Sequence, residues 1–208
     1  MIFAGQVGQQ NNPDGSGSIG GQVARMGHNG DLIVSELHGR YYEQAYRKNL
    51  YGGSIVGQVT TVGAATTYTG LCLSNPVGSG VNLVINKVGV SFLVGFAASA
   101  TVGVMTGINV TTNVTHTAAA VVRNKFIGSV AGMGLLDSSA TLPTAPVLDI
   151  VLFSGLTGAI TTAPAADGMF DLEGSIILPP GAYAAIYTST VSGTASMSAS
   201  FSWEEVPV

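Results

Sequence analysis

Two pairs of carboxylates are the residues of this sequence best suited to acid–base chemistry. Asp171 and Glu173 are two positions apart, so a strand would place both side chains on one face. Glu204 and Glu205 are adjacent. A glycosidase needs two carboxyl groups on opposite sides of a cleft, and spacing along the chain does not establish that geometry. Because carboxylates at strand edges also protect sheets from unwanted pairing, we interpret both pairs as surface charge.

Residues for metal, nucleophilic or nucleotide chemistry are few and scattered. The histidines are His28, His38 and His116, and their spacing does not match a metal site. The single cysteine, Cys72, stands in an apolar run, which is typical of a buried cysteine. Residues 15–20 match the glycine pattern of dinucleotide-binding loops, but no buried strand precedes them. We therefore expect a protein that is not an enzyme and has no cofactor or metal.

Charge is unusually scarce in this chain. Of its 208 residues, 9% are Asp, Glu, Lys or Arg, against roughly 25% in ordinary soluble domains. Between Tyr51 and Val122 the one formally charged residue is Lys87. Because surface charge keeps proteins soluble and apart, we expect the chain either to enter a membrane or to cover much of its surface against other protein copies.

The hydrophobic pattern argues against the membrane. Residues 88–105 are uncharged and long enough to be considered as a spanning helix. From Val88 to Phe96, however, apolar side chains recur at every second position, which indicates a strand. The net charge of −4 is not clustered and offers no basic face for nucleic acid. We expect neither a transmembrane helix nor direct binding to DNA or RNA.

The elements that position these residues are short strands. Apolar runs separated by Gly, Pro, Asn and Ser predict about eight strands and an all-β fold, a jelly-roll-like β-sandwich, for residues 53–208. The clearest strand ends at Trp203, where apolar and hydroxylated residues alternate. The predicted strands are 55–62, 67–74, 82–96, 102–111, 147–156, 168–178, 182–191 and 193–203.

Residues 1–52 form a different kind of segment. Residues 6–21 are rich in Gly, Gln, Asn and Ser, which predicts an extended arm, and residues 31–34 predict one strand. The stretch 36–51 is the most charged and aromatic of the chain. Tyrosine and arginine are enriched in protein interfaces, although a short amphipathic turn that closes the domain explains the pattern equally well. The predicted contact residues are Arg40, Tyr41, Tyr42, Tyr46, Arg47 and Tyr51.

Three stretches carry a resemblance to a known group of proteins. They are residues 68–85 with the turn Asn-Pro-Val-Gly-Ser-Gly, residues 171–183 with Leu-Pro-Pro-Gly-Ala-Tyr, and residues 202–208 with Trp-Glu-Glu. Over residues 52–208 the chain resembles virion structural proteins of tailed bacteriophages, in particular small all-β head decoration or cement proteins. The resemblance implies a jelly-roll-like domain that forms a trimer on the outside of a capsid and binds the major capsid protein, with its arm reaching neighbouring subunits.

We therefore expect a non-enzymatic virion protein that oligomerises and stabilises the phage head. Because residues 1–6 have neither the basic nor the apolar run of a signal peptide, we expect it to be made in the host cytoplasm. The alternative is a carbohydrate- or receptor-binding head-fibre or tail module, since jelly rolls often bind sugars. That alternative needs exposed aromatic rings beside carboxylates or amides, whereas Trp203 falls on the expected core face.

Overall fold

The computed structural model describes residues 39–94, 96, 98–155, 167–192 and 196–208, together with two short strands near the N-terminus. The chain divides into two compact units, Met1–Arg40 and Tyr41–Val208. In the first unit, β1 (Gln6–Val7) and β2 (Gln22–Val23) pair antiparallel. The rest of the expected arm, and the strand expected at residues 31–34, lie outside the described residues.

The second unit contains one short helix and a series of strands. The helix is α1 (Tyr42–Tyr46). The strands are β3 (Leu50–Gln58), β4 (Thr67–Ser74), β5 (Val81–Phe92), β6 (Ala100–Ile108), β7 (Thr115–Ala120), β8 (Val122–Asn124), β9 (Leu135–Thr141), β10 (Val147–Gly155), β11 (Asp167–Leu178), β12 (Ala182–Thr188) and β13 (Met197–Pro207).

These strands form two antiparallel sheets. The six-stranded sheet has the order β10-β6-β12-β4-β9-β7, and the five-stranded sheet has the order β11-β5-β13-β3-β8. Buried apolar side chains from both sheets form one shared core. The all-β sandwich expected from the sequence is therefore confirmed.

The strand β13 shows how the sequence pattern produces this core. Its residues are alternately buried and half-buried from Met197 to Glu205. Phe201 and Trp203 are 1% and 0% exposed, while the serines between the apolar residues lie on the outer face. Strand periodicity of two places alternate side chains on opposite faces of a sheet, and here the face with the large side chains is covered.

A second apolar cluster covers the outer face of the six-stranded sheet. Tyr183 and Cys72 are fully buried there, beneath Val114 and Leu142 from the connecting segments. Strand β12 therefore contributes side chains to apolar clusters on both of its faces. This double burial explains why β12 reads as a continuous apolar run rather than an alternating one.

Gly107 is required by this second cluster. It lies opposite Tyr183 in the ladder between β6 and β12, and a Cβ atom at this glycine would overlap the ring and hydroxyl of Tyr183. We expect Gly107→Ala to lower the free energy of unfolding by about 1–3 kcal/mol, the usual effect of overpacking. Urea denaturation measures this change, and Ser175→Ala at an exposed strand position is the control, expected within about 0.5 kcal/mol of the unmodified protein. Equal stability of the two variants would contradict this assignment.

Two features differ from the sequence prediction. The strands β7, β8 and β9 lie in a region where the sequence predicted none. The second unit begins at Tyr41, and the division expected at residue 52 falls within β3. The reason is that β3 pairs with β13 through Leu50 and Tyr51, both buried, so residues 50–52 belong to the sandwich.

Candidate interaction surface

The helix α1 carries two exposed aromatic rings. Tyr42 and Tyr46 are four residues apart, which places them on the same side of a helix, and their rings stack with centroids 5.9 Å apart. They are 44% and 45% exposed. On the same helix, Arg47 Nε donates a hydrogen bond to Glu43 Oε1 at 2.6 Å. No α1 residue is buried, so the helix presents its aromatic side chains outward.

A loop distant in sequence extends this aromatic surface. The ring of Phe126 meets that of Tyr46 edge-on at 6.4 Å, and Lys48 Nζ lies 5.5 Å from the centre of the Phe126 ring. Asn124 joins the two segments, because its Nδ2 donates to the Lys48 carbonyl at 2.6 Å and its Oδ1 accepts from Phe126 N at 2.8 Å. The loop is therefore held against the helix by a buried amide.

We name the resulting surface the aromatic patch. It consists of Tyr42, Tyr46 and Phe126, together with the two aliphatic residues that follow in the same loop, Ile127 and Val130. Phe126 is 43% exposed, and the two aliphatic residues are 74% and 73% exposed. Exposed apolar side chains that cluster in this way are typical of sites that bind other proteins.

Glu205 fixes the far end of the loop. Its Oε2 accepts a hydrogen bond from Met133 N at 2.9 Å, and its Oε1 accepts from Gly134 N at 2.9 Å and from Trp203 Nε1 at 3.3 Å. The carboxylate is buried, and three N–H donors satisfy it. Its neighbour Glu204 lies on the opposite face of the strand. Burial raises the pKa of Glu204. Glu205 is thus an anchor for the backbone of the loop.

The carboxylate of Asp171 also has a positioning role. The hydroxyl of Tyr41 lies 3.0 Å from both of its oxygens, and its Oδ1 accepts a hydrogen bond from Glu173 N at 3.0 Å. Lys87 Nζ lies 4.0 Å from Oδ2 and 4.8 Å from the centre of the Tyr41 ring. Asp171 therefore ties the residue preceding α1 to strand β5.

The structure brings some of the predicted contact residues together and separates others. Tyr42, Tyr46 and Arg47 are exposed on α1, and Arg40 is exposed. Tyr41 is half-buried over Lys87. Tyr51 differs from them, because it is 6% exposed and its ring stacks on that of Trp203 at 6.2 Å. Burial raises the pKa of Tyr51, and its side chain belongs to the core.

Sequence reasoning missed the loop residues of the patch. Phe126, Ile127 and Val130 lie in a connection where no strand or helix period is present, so no pattern separated them from core residues. One signal was available. Three large apolar side chains stand close together around a glycine and a serine, Gly128 and Ser129, in a segment that reads as a turn. Apolar residues in such a turn have no core to enter.

A buried carboxylate, Asp137, lies on the outer face of the six-stranded sheet beside a partly exposed histidine, His116. Asp137 is fully buried, and His116 Nδ1 lies 2.5 Å from its Oδ2. Burial raises the pKa of Asp137, and the contact with His116 opposes that shift. Cys72 pairs with Asp137 in the ladder, and burial raises the pKa of its thiol well above the ordinary value. A buried thiol with a raised pKa is not a nucleophile.

The described residues contain no candidate metal site. Within that part of the chain, no three His, Cys, Asp or Glu side chains come together as a metal site would require. His116 lies in β7. Residues 88–105, considered as a spanning helix, run through β5 and β6, and no helix in the described part has the length and apolar content to cross a bilayer.

Comparison with known proteins gives no further identification. No family model matches the chain, and no curated protein or solved structure gives a significant match.

Proposed function

We propose that this protein is a non-enzymatic structural protein that binds protein subunits through the aromatic patch, as a decoration or cement protein on the outside of a phage capsid. The observation that carries the proposal is the patch. Three clustered aromatic rings and two aliphatic side chains are exposed on a chain in which only 9% of residues are charged. Aromatic residues are enriched in protein interfaces, and a partner that covers the patch removes this apolar surface from water.

The outer strands of both sheets support assembly of several copies. Strands β10 and β11 lie at the ends of their sheets. On β10, Val147 and Val151 are 71% and 56% exposed, and on β11, Met169 and Ile177 are 71% and 55% exposed. End strands are usually protected by charge or proline. Exposed carboxylates also lie on these strands, Asp149 on β10 and Asp171 and Glu173 on β11. The exposed aliphatic side chains beside them favour burial against another copy, in keeping with the expected homotrimer.

The strand order supports the capsid assignment. If β7, β8 and β9 are set aside, the sheets read β3-β13-β5-β11 and β4-β12-β6-β10. Eight strands take this order when a chain wraps as two Greek keys, and we infer a jelly roll with three strands inserted between β6 and β10. Viral capsid proteins and lectins use this wrapping. The resemblance of residues 52–208 to head decoration proteins favours the capsid over the lectin role.

Capsid binding gives the proposed protein a simple mechanism. A protein that binds only the assembled shell stabilises that shell by mass action. Many copies joined through their own interfaces bind more tightly than one copy alone. The stabilisation requires no catalytic group, in agreement with the structural roles of the buried carboxylates.

Native mass is the first test of the proposal. We expect light scattering on a sizing column to give a trimer, because the apolar end strands and the low charge both favour association. The same material is then mixed with capsid shells assembled from the major capsid protein of the encoding phage and sedimented. Cosedimentation at saturable stoichiometry supports the proposal. A monomer that stays in the supernatant would contradict it.

A second candidate function is the carbohydrate-binding module. It is favoured by an open cavity of about 500 Å³ on the outer face of the five-stranded sheet, lined by the hydroxyl-bearing residues Ser54, Ser91, Ser198 and Ser200. Among the described residues, no aromatic side chain lines this cavity, and aromatic faces supply much of the affinity for sugar rings. A glycan screen separates the two functions, since the capsid proposal expects no glycan to bind.

A further inference from the structure

A groove crosses the outer face of the five-stranded sheet. Two cavities of about 440 and 500 Å³ adjoin there and share Ser54, Gly89, Met169 and Ser200 in their linings. The shared residues lie on β3, β5, β11 and β13, so the two cavities form one continuous surface depression. We name it the serine groove.

One end of the serine groove is basic. The cavity of about 440 Å³ is lined by Lys87, Arg123 and Lys125, and none of the described residues in its lining is a carboxylate. These are three of the seven Lys and Arg residues in a chain whose net charge is −4. Lys87 has a partner at the rim, since Asp171 Oδ2 is 4.0 Å from its Nζ. Among the described residues, neither Arg123 nor Lys125 forms an ion pair, so the end retains positive charge.

Strand pairing brings these cations together. Arg123 lies opposite Gly52 in the ladder between β8 and β3. A Cβ atom on Gly52 would lie 2.7 Å from both Cε and Nζ of Lys125, so the lysine crosses over the bare backbone of this glycine. The missing side chain of Gly52 leaves the space that the lysine occupies. Strand pairing and this close approach therefore place Arg123 and Lys125 together at the basic end.

The shape of the groove indicates the kind of ligand. It extends along β13 from Ser202 to Ser198, a distance of roughly 13 Å at the rise of a strand. An extended peptide of about four residues fits this length, whereas a single phosphate would occupy only the basic end. Phe201 is the one aromatic residue in the described part of the lining, and its ring is buried in the core. A sugar ring therefore has no aromatic face to stack on.

We propose that the serine groove binds an extended acidic segment of a protein partner, with the carboxylates of that segment at Lys87, Arg123 and Lys125. The serine end accommodates the backbone and small side chains of the same segment. This inference needs only the groove and its cations, so it holds whether or not the protein decorates a capsid.

The test measures fluorescence anisotropy of a labelled hexapeptide of alternating Glu and Ser with the full chain at about 0.05 M salt, where charge interactions are weakly screened. The same peptide with Gln in place of Glu is the neutral probe. Lys125→Gln is compared with Lys48→Gln, which removes the same charge from an exposed lysine outside the groove. The double variant Arg123→Gln/Lys125→Gln removes the two cations of the groove that form no ion pair among the described residues. The variant Ser54→Trp narrows the groove where its two cavities meet.

We expect the Glu peptide to bind more tightly than the Gln peptide. Lys125→Gln and Ser54→Trp should each weaken binding of the Glu peptide about tenfold, and the double variant should weaken it further. Lys48→Gln should leave binding within about twofold. Equal binding of the two peptides would overturn the proposal, as would equal losses for Lys48→Gln and Lys125→Gln. Tighter binding of inorganic phosphate or polygalacturonate than of the Glu peptide would assign the site to a free anion or an acidic saccharide. If the melting temperatures of the variants are unchanged, the losses of peptide affinity arise in the groove and not from unfolding.

Discussion

Replacing Tyr42, Tyr46 and Phe126 together by alanine is expected to reduce the affinity for capsid shells about 100-fold or more. Each ring is nearly half exposed and the three form one cluster. Buried aromatic anchors commonly contribute about 2 kcal/mol or more each to binding, and losses within one cluster are not additive. Because the rings lie outside both buried clusters, the fold should persist, with a loss of stability of at most about 1 kcal/mol.

The measurement is cosedimentation with capsid shells across a range of protein concentrations. The matched control replaces three exposed aliphatic residues outside the patch, Val62→Ala, Val110→Ala and Val191→Ala, which are 47%, 66% and 42% exposed. This control loses a similar kind of apolar surface and should bind as the unmodified protein does. If the patch variant keeps its affinity, or the control loses as much, the aromatic patch is not the docking surface. Native mass of each variant separates a loss of oligomerisation from a loss of docking.

Replacing Trp203 by alanine is expected to lower the free energy of unfolding by about 3–5 kcal/mol, in the range for deletion of a large buried aromatic side chain. The indole is 0% exposed and stacks on Tyr51. Its Nε1 also donates to Glu205, so the substitution leaves a cavity and removes one donor from a buried carboxylate. Both effects act at the point where β13 meets the loop that carries part of the aromatic patch.

Urea denaturation at constant protein concentration measures this loss, since assembly would otherwise shift the apparent stability. Trp203→Phe, which retains most of the ring but not the N–H donor, should lose clearly less. Ser198→Ala, on the outer face of the same strand, should change stability by less than about 0.5 kcal/mol. A loss below about 1 kcal/mol for Trp203→Ala would show that the core does not depend on the indole.

The core and the aromatic patch are linked through Glu205. This buried carboxylate holds Met133 N and Gly134 N at one end of the loop, and Asn124 holds the other end against the Lys48 carbonyl. Buried polar side chains therefore position the loop part of the aromatic patch, and α1 carries Tyr42 and Tyr46. Positioning of this kind limits the conformational entropy that a loop loses when a partner binds.

The sequence by itself determined the fold class and several strands. The alternation that ends at Trp203 predicted a strand with one covered face, and β13 has that face in the core. The strand expected at residues 67–74 is observed with the same bounds as β4. These features are local, because the period of side chains along a strand is fixed by backbone geometry alone.

Tertiary structure alone decided what covers each face and which distant residues meet. Tyr51 and Tyr46 are similar in sequence context, yet one is in the core and the other is exposed, because β3 pairs with β13. Phe126 joins Tyr46 across a gap of 80 residues, and Lys87 joins Lys125 in one groove. Periodicity identifies the side chains that share a face, but the partner of that face is set by long-range strand pairing. The candidate binding surfaces depend on that pairing. The sequence therefore indicated the types of residue that form them, but not which of these residues come together.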